Sequence, residues 1–341
     1  MATAETAYAN TLVRRDGIAE NTLGQGHCSD VTMRTNRSVR ALCLASWLCA
    51  WSIGPAVSAQ ELEPRAYTNA PIGLNFLIAG VTGSDGSVLL DPSAPIENGQ
   101  IHADGPVVGY ARSLRVGKMS SKIDIGIAHA CLDGSADFQG QRVSARRCGL
   151  SDARTRWSVN FFGAPAISLK EFAGYRQNLV LGASLQLSVP TGQYDPSKLI
   201  NVGTNRWSAK PEIGLSKLLG GRWSVDLALA GTFYETNDDF YGGRTRAQDP
   251  IYSFQAHAVR LFPKGAWLAV DGTRYRGGRT VTDGFADQDL QSNTRLGLTV
   301  GLPINRRQSL KLYYSTGVAT RTGTDFDTVG GAWQYRWGGG F

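Results

Sequence analysis

Between Arg206 and Lys217 every second residue is polar. Arg206, Ser208, Lys210, Glu212, Gly214 and Ser216 alternate with Trp207, Ala209, Pro211, Ile213 and Leu215. Period-two alternation belongs to a strand, so one face suits water and the other an apolar environment. The same parity puts Asp226, His257, Asp271, Arg295, Lys311 and Arg336 on the polar faces of other segments. Charges of both signs turned into one lumen would set up a transverse field and narrow the passage, which is recognition chemistry. Catalysis would need a nucleophile held beside a base. Beyond residue 59 the imidazoles are His102, His129 and His257, and no Gly-x-Ser-x-Gly, HExxH, CxxC, P-loop or dinucleotide element accompanies them. The expectation is therefore a non-enzyme with no catalytic residue, cofactor or metal. His257, on one face with Gln255 and Ser253, reads as a hydrogen-bonded lumen residue ahead of a pH gate.

A second group lies in the loop Thr191–Asn205. Tyr194 beside Asn201, Asn205 and Arg206 would suit an aromatic or carboxylated solute by stacking and paired hydrogen bonds. The alternative is that this set only holds the loop against a wall. Trp207, Trp223 and Trp267 are expected to point outward as interface anchors.

The elements that must position these residues are strands. Glycine accounts for 41 of 341 residues and charged residues for 18%, a balance that excludes a disordered polymer and points to many turns. Beyond residue 59 no apolar run reaches the length of a membrane helix. Alternating segments fall at roughly 68–80, 101–114, 120–130, 155–163, 177–190, 206–217, 223–236, 250–261, 266–276, 292–303, 309–321 and 327–337. Short connections (115–120, 219–222, 263–265, 304–308) alternate with long ones (83–99, 131–152, 191–205, 237–249, 277–293). That asymmetry is the form of an all-β, antiparallel transmembrane β-barrel of about twelve strands in the bacterial outer membrane, with its lipids as partners. Trp333, Tyr335 and Trp337 share one face of the last strand, and the chain finishes in Phe341, a terminal aromatic of the kind that barrel-assembly machinery reads.

The first sixty residues differ. A basic stretch from Met33 to Arg40, the apolar run Ala41–Val57 and the small-residue site Val57-Ser58-Ala59 form a secretory signal peptide with cleavage expected after Ala59. Residues 1–32 then read as an upstream extension from a misassigned start, 33–59 as the signal peptide and 60–341 as the barrel. Of the five cysteines, Cys131 and Cys148 remain after cleavage, and in an oxidising compartment they are expected to form a disulfide. The whole-chain net charge of +7 is spread thinly, so nucleic acid is not an expected partner.

Several blocks carry a family resemblance. Pro190-Thr191-Gly192-Gln193-Tyr194-Asp195, then Asn201-Val202-Gly203-Thr204-Asn205-Arg206-Trp207 and Lys210-Pro211-Glu212, continue through Gln255-Ala256-His257, Gly277-Gly278-Arg279-Thr280 and the stretch from Thr320 to Asp327. Over most of residues 66–337 the chain resembles a bacterial family of transporters assigned to the MetA pathway of phenol degradation. The resemblance implies an outer-membrane barrel that passes small hydrophobic or aromatic compounds. Two other readings stay open beside this one: a non-conducting structural or adhesive barrel, and a lipid hydrolase.

Overall fold

The computed structural model describes residues 63–88, 96–138, 141–198, 200–320 and 324–340. The expected extension 1–32, the signal peptide 33–59 and Phe341 lie outside the described residues. The strands in chain order are β1 (Leu74–Val88), β2 (Ile96–Val116), β3 (Met119–Phe138), β4 (Gln141–Leu150), β5 (Ala153–Pro165), β6 (Leu179–Val189), β7 (Ser208–Leu219) and β8 (Trp223–Tyr234). They continue with β9 (Asn237–Phe240), β10 (Arg244–Gln248), β11 (Ile251–Leu261), β12 (Trp267–Gly277), β13 (Thr280–Thr282), β14 (Phe285–Ala286), β15 (Gln291–Pro303), β16 (Gln308–Ala319) and β17 (Thr324–Gly338). A single helical turn, α1 (Leu169–Phe172), capped by Ser168, lies between β5 and β6.

Every neighbouring pair in the wall is antiparallel, and β1 pairs with both β2 and β17, which closes the sheet. β4 and β5 share one stave: β5 pairs with the lower part of β3 and β4 with its upper part. Twelve staves result, as the alternation implies. Closure satisfies the backbone N–H and C=O groups that lipid cannot. The ladder then sends alternate side chains inward. On β11 odd-numbered residues are buried from Ile251 to Val259 while Tyr252, Phe254 and Ala258 are exposed. On β7 the inward set is Ser208, Lys210, Glu212, Gly214 and Ser216.

Both chain ends of the barrel lie at the short-turn end, where Trp333, Tyr335 and Trp337 stack along the outer wall with ring centroids 6.0 and 5.9 Å apart. The long-loop end holds more structure than the sequence suggests. Within 131–152, expected as a loop, β3 continues to Phe138 and is hydrogen-bonded to β4, and Cys131 faces Cys148 across that pair in a disulfide. The stretches 237–249 and 277–293 likewise contain β9, β10, β13 and β14, joined in a separate four-stranded sheet. Their turn-rich composition hides these short strands, because Asp and Gly weaken β propensity and only pairing holds them. The first wall strand begins at Leu74, later than the expected 68, because residues 63–73 are used elsewhere.

Replacing Cys131 and Cys148 by serine is expected to leave a heat-modifiable barrel, since β4 and the upper part of β3 lie beyond the closed wall. The loop-closure model gives the bridge about 3 kcal/mol. Limited proteolysis of the double variant should cut this hairpin sooner than in the parent, with the remaining staves protected.

Candidate functional site

Residues 63–73 run along the short-turn rim and then up into the lumen. The rim part is tied by backbone bonds from Gly73 to Ser113 (3.0 Å) and from Ile72 to Ile167 (3.0 Å), and by the Asn69 side chain donating to the Pro165 carbonyl (3.2 Å). Inside, the Tyr67 hydroxyl donates to Glu212 Oε1 at 2.9 Å, with Ser184 Oγ at 3.3 Å. Gly182 and Gly214 make room for its ring: a Cβ at either would come within 2.3 Å of a ring carbon. Glycine on a strand marks such a close approach. The Arg65 N–H donates to Asp226 at 2.9 Å, and its guanidinium lies 5.6 Å from the centre of the Trp267 ring. Glu63 pairs with Arg156, which also meets Asp124 at 3.4 Å, and Lys122 lies 3.5 Å from that same Asp124. The strap thus touches β5, β6, β7, β8 and β12, and so crosses the lumen.

Charge holds it there. Burial pushes the Glu63 carboxyl up, but Arg156, with Lys122 and Lys311 beyond it, outweighs burial and holds it well below the ordinary carboxylate range. Burial and the neighbouring Glu212 push the Tyr67 phenol up, so it stays a donor.

The sequence-derived candidates separate into three groups. Lys210 and Glu212 form an inward ion pair at 3.6 Å, and Glu212 and Asp226 receive the strap. His257 Nδ1 lies 2.7 Å from Asp271, whose other oxygen accepts from Thr299 at 2.6 Å, and Arg295 donates to Ser315 Oγ at 2.8 Å. Lys311 also faces inward, 5.9 Å from the Tyr313 ring. Tyr194, Asn205 and Arg206 are instead gathered at the long-loop rim. Tyr194 donates to the Asp239 carbonyl (3.0 Å), Asn205 to Asn237 (3.0 Å), and Arg206 bonds Gln248 and lies 4.7 Å over the Tyr234 ring. Asp152 fastens the same loop through Gly192 (2.9 Å) and Thr204 (2.6 Å). Burial lowers the Arg206 guanidinium to about 10.

One orientation differs from expectation. Trp207 and Trp223 do face outward, but Trp267 points in, packed over Gly301. It shares parity with Asp271, so the ladder leaves no other choice. The strap itself was not visible in the sequence. Gly182 and Gly214 on inward positions, and Arg154 and Arg156 alternating on β5, were the available signals. Among the described residues no serine hydroxyl bonds a histidine: His257 and His102 meet only Asp271 and Asp85.

Beside the strap, Gln255 Oε1, His257 Nε2 and Thr273 Oγ1 on the lumen wall are buried and have no hydrogen-bond partner among the described residues. Gln255 and Thr273 are direct partners across β11 and β12, and His257 is the next inward residue. Inward Phe76 and Ile78 on β1 and Val107 on β2 supply an apolar arc elsewhere in the lumen. On the outer wall, the β7–β8 ladder skips Lys210 and Pro211, where proline lacks the N–H for a rung. A groove of about 630 Å³ lies there, bordered on the outer face by Pro211, Ile213, Leu229, Tyr252 and Phe254 and lined also by Glu212 and Ser253 of the inward set.

The family model described as the MetA-pathway of phenol degradation matches residues 98–334, more than half of the chain. The chain belongs to that family. Among solved structures, this family member is similar to the COG4313 outer membrane channel from Pseudomonas putida F1, at 20% identity and a TM-score of 0.69, over 81% of this chain and 100% of that one. It is also similar to the beta domain of the Bordetella autotransporter BrkA, at 11% identity and a TM-score of 0.50, over 78% and 100% of the two chains. These likenesses establish the outer-membrane barrel fold. No curated protein matches the sequence.

If the strap sets the width of the lumen, Tyr67→Ala should raise single-channel ion conductance several-fold in planar bilayers. A carboxylate held below its ordinary value adds stability above that value and loses it only as pH falls through the depressed one. Parent conductance should therefore stay flat from about pH 7 to about pH 4, and Glu63→Gln should show the raised level throughout.

Proposed function

We propose that the protein is an outer-membrane channel for passive passage of small hydrophobic or aromatic compounds bearing at most one or two polar groups. The observation that carries this reading is the patch of Gln255, His257 and Thr273, whose buried donors and acceptors have capacity left for a solute hydroxyl. A phenol hydroxyl can donate to Gln255 Oε1 or accept from Thr273 Oγ1, and an unsubstituted ring can do neither. The apolar arc of Phe76, Ile78 and Val107 gives the ring a surface to follow. Membership of the phenol-degradation family and similarity to an outer membrane channel support the same reading. The strap and the paired charges disfavour general diffusion of hydrophilic solutes, because the strap crosses the lumen between Arg156, Glu212 and Asp226. In this reading Lys210, Glu212, Asp226, Asp271, Arg295 and Lys311 set the polarity of the passage, and Tyr194, Asn205 and Arg206 shape its outer mouth.

The test is flux into liposomes of a phenol and of toluene, which differ mainly in the hydroxyl. Parent protein should pass both. A Gln255→Leu/His257→Leu variant should slow the phenol about tenfold and leave toluene within about twofold, a difference of one hydrogen-bonded contact. Equal loss of both would mean a blocked lumen, and no flux of either solute in the parent would favour the non-conducting barrel.

A further inference from the structure

Arg274 and Arg276 stand on the outer face of β12, both exposed, in the same parity as lipid-facing Val270. With a strand rise of about 3.4 Å and a tilt near 40°, Arg274 sits only about 16 Å above Leu268, inside an apolar band about 25 Å tall. A basic side chain is disfavoured there unless its charge is met. Arg274 reaches upward: its guanidinium donates to Ser292 Oγ at 2.8 Å and to Thr294 Oγ1 at 3.0 Å. Ser292 is the partner of Arg276 across the β12–β15 ladder, so the Arg274 guanidinium reaches the rung on which Arg276 stands, beside Tyr252. Among the described residues no carboxylate forms an ion pair with either arginine. Directly next to them lies the apolar groove of about 630 Å³ at the Pro211 break, whose rim they form.

We propose that Arg274 and Arg276 clamp the phosphate of a phosphorylated glycolipid in the outer leaflet, with one of its acyl chains lying in the groove across β7, β8 and β11. Two guanidinium forks suit a phosphate, which accepts paired hydrogen bonds from each. The outward direction of both side chains favours a lipid over a solute in the lumen. An aliphatic chain fits a groove walled by Ile213, Leu229, Tyr252 and Phe254, and its position covers the rung that Pro211 leaves out. Gln255, His257 and Thr273 do not line this groove, and the proposal does not rest on the transport reading.

The experiment is native mass spectrometry and thermal unfolding of the full detergent-solubilised protein with bisphosphorylated lipid A, with the same lipid after phosphate removal, and with an aromatic carboxylate. Bisphosphorylated lipid A should bind and raise the melting temperature, with removal of phosphate weakening binding at least tenfold. Arg274→Gln/Arg276→Gln should lose the same tenfold, while Arg274→Lys/Arg276→Lys retains part of it. Heat-modifiable migration on gels verifies that each variant is folded, and a variant that fails this is replaced by the corresponding single substitution. Equal binding of the dephosphorylated lipid, or unchanged binding by the glutamine variant, would overturn the proposal. Arginine-dependent binding of the carboxylate without the lipid would also overturn it, and would make the groove a solute mouth.

Discussion

Closure of the ladder between β1 and β17 is the constraint from which the remaining structure follows. In a lipid environment an open sheet edge would leave a row of unmet N–H and C=O groups, so the wall has to be continuous. A continuous antiparallel wall then dictates the side of every residue by parity alone. Apolar Ile213, Leu229 and Val270 face out because Glu212, Ala230 and Asp271 face in. The polar residues so directed inward must find partners within the lumen. Those partners come partly from the wall, as in His257 with Asp271, and partly from the strap.

The strap supplies charge to the wall. Arg156 and Lys122 both meet the carboxylate of Asp124, and Glu63 brings a second negative charge to Arg156. Tyr67 fills the hollow over Gly182 and Gly214 and caps Glu212, which Lys210 alone meets from the wall. The strap's wall contacts run from Asp226 to Glu212, and at that same level Gln255, His257 and Thr273 keep polar atoms with no partner among the described residues. A passage that is polar at isolated points and apolar along one arc suits a ring with a hydroxyl better than a hydrated ion.

Local periodicity revealed the wall and little beyond it. Twelve alternating segments were readable because each strand carries its own pattern, and the inward charges Lys210, Glu212, Asp226, His257, Asp271, Arg295 and Lys311 followed from parity. The Cys131–Cys148 pair was readable from compartment and count. Trp267 was misplaced where an expectation about aromatic anchors overrode parity. The strap stayed hidden because its contacts join residues far apart, Tyr67 to Glu212 and Arg65 to Asp226, and a segment of single contacts has no period. Tyr194, Asn205 and Arg206 were readable by type either as solute ligands or as loop fasteners, and in the fold they bond Asp239, Asn237 and Gln248 at the rim.

The proposed passage runs past the strap that crosses the lumen, so a phenol crosses the barrel only as the strap gives way. Glu63→Cys with Arg156→Cys, joined by a short thiol-reactive linker while the native disulfide remains intact, would lock it in place. Phenol flux into liposomes is then compared before and after the linker is cleaved. Flux should stop in the locked protein and return on release. Equal flux in both states would contradict it and assign passage to a route that bypasses the strap.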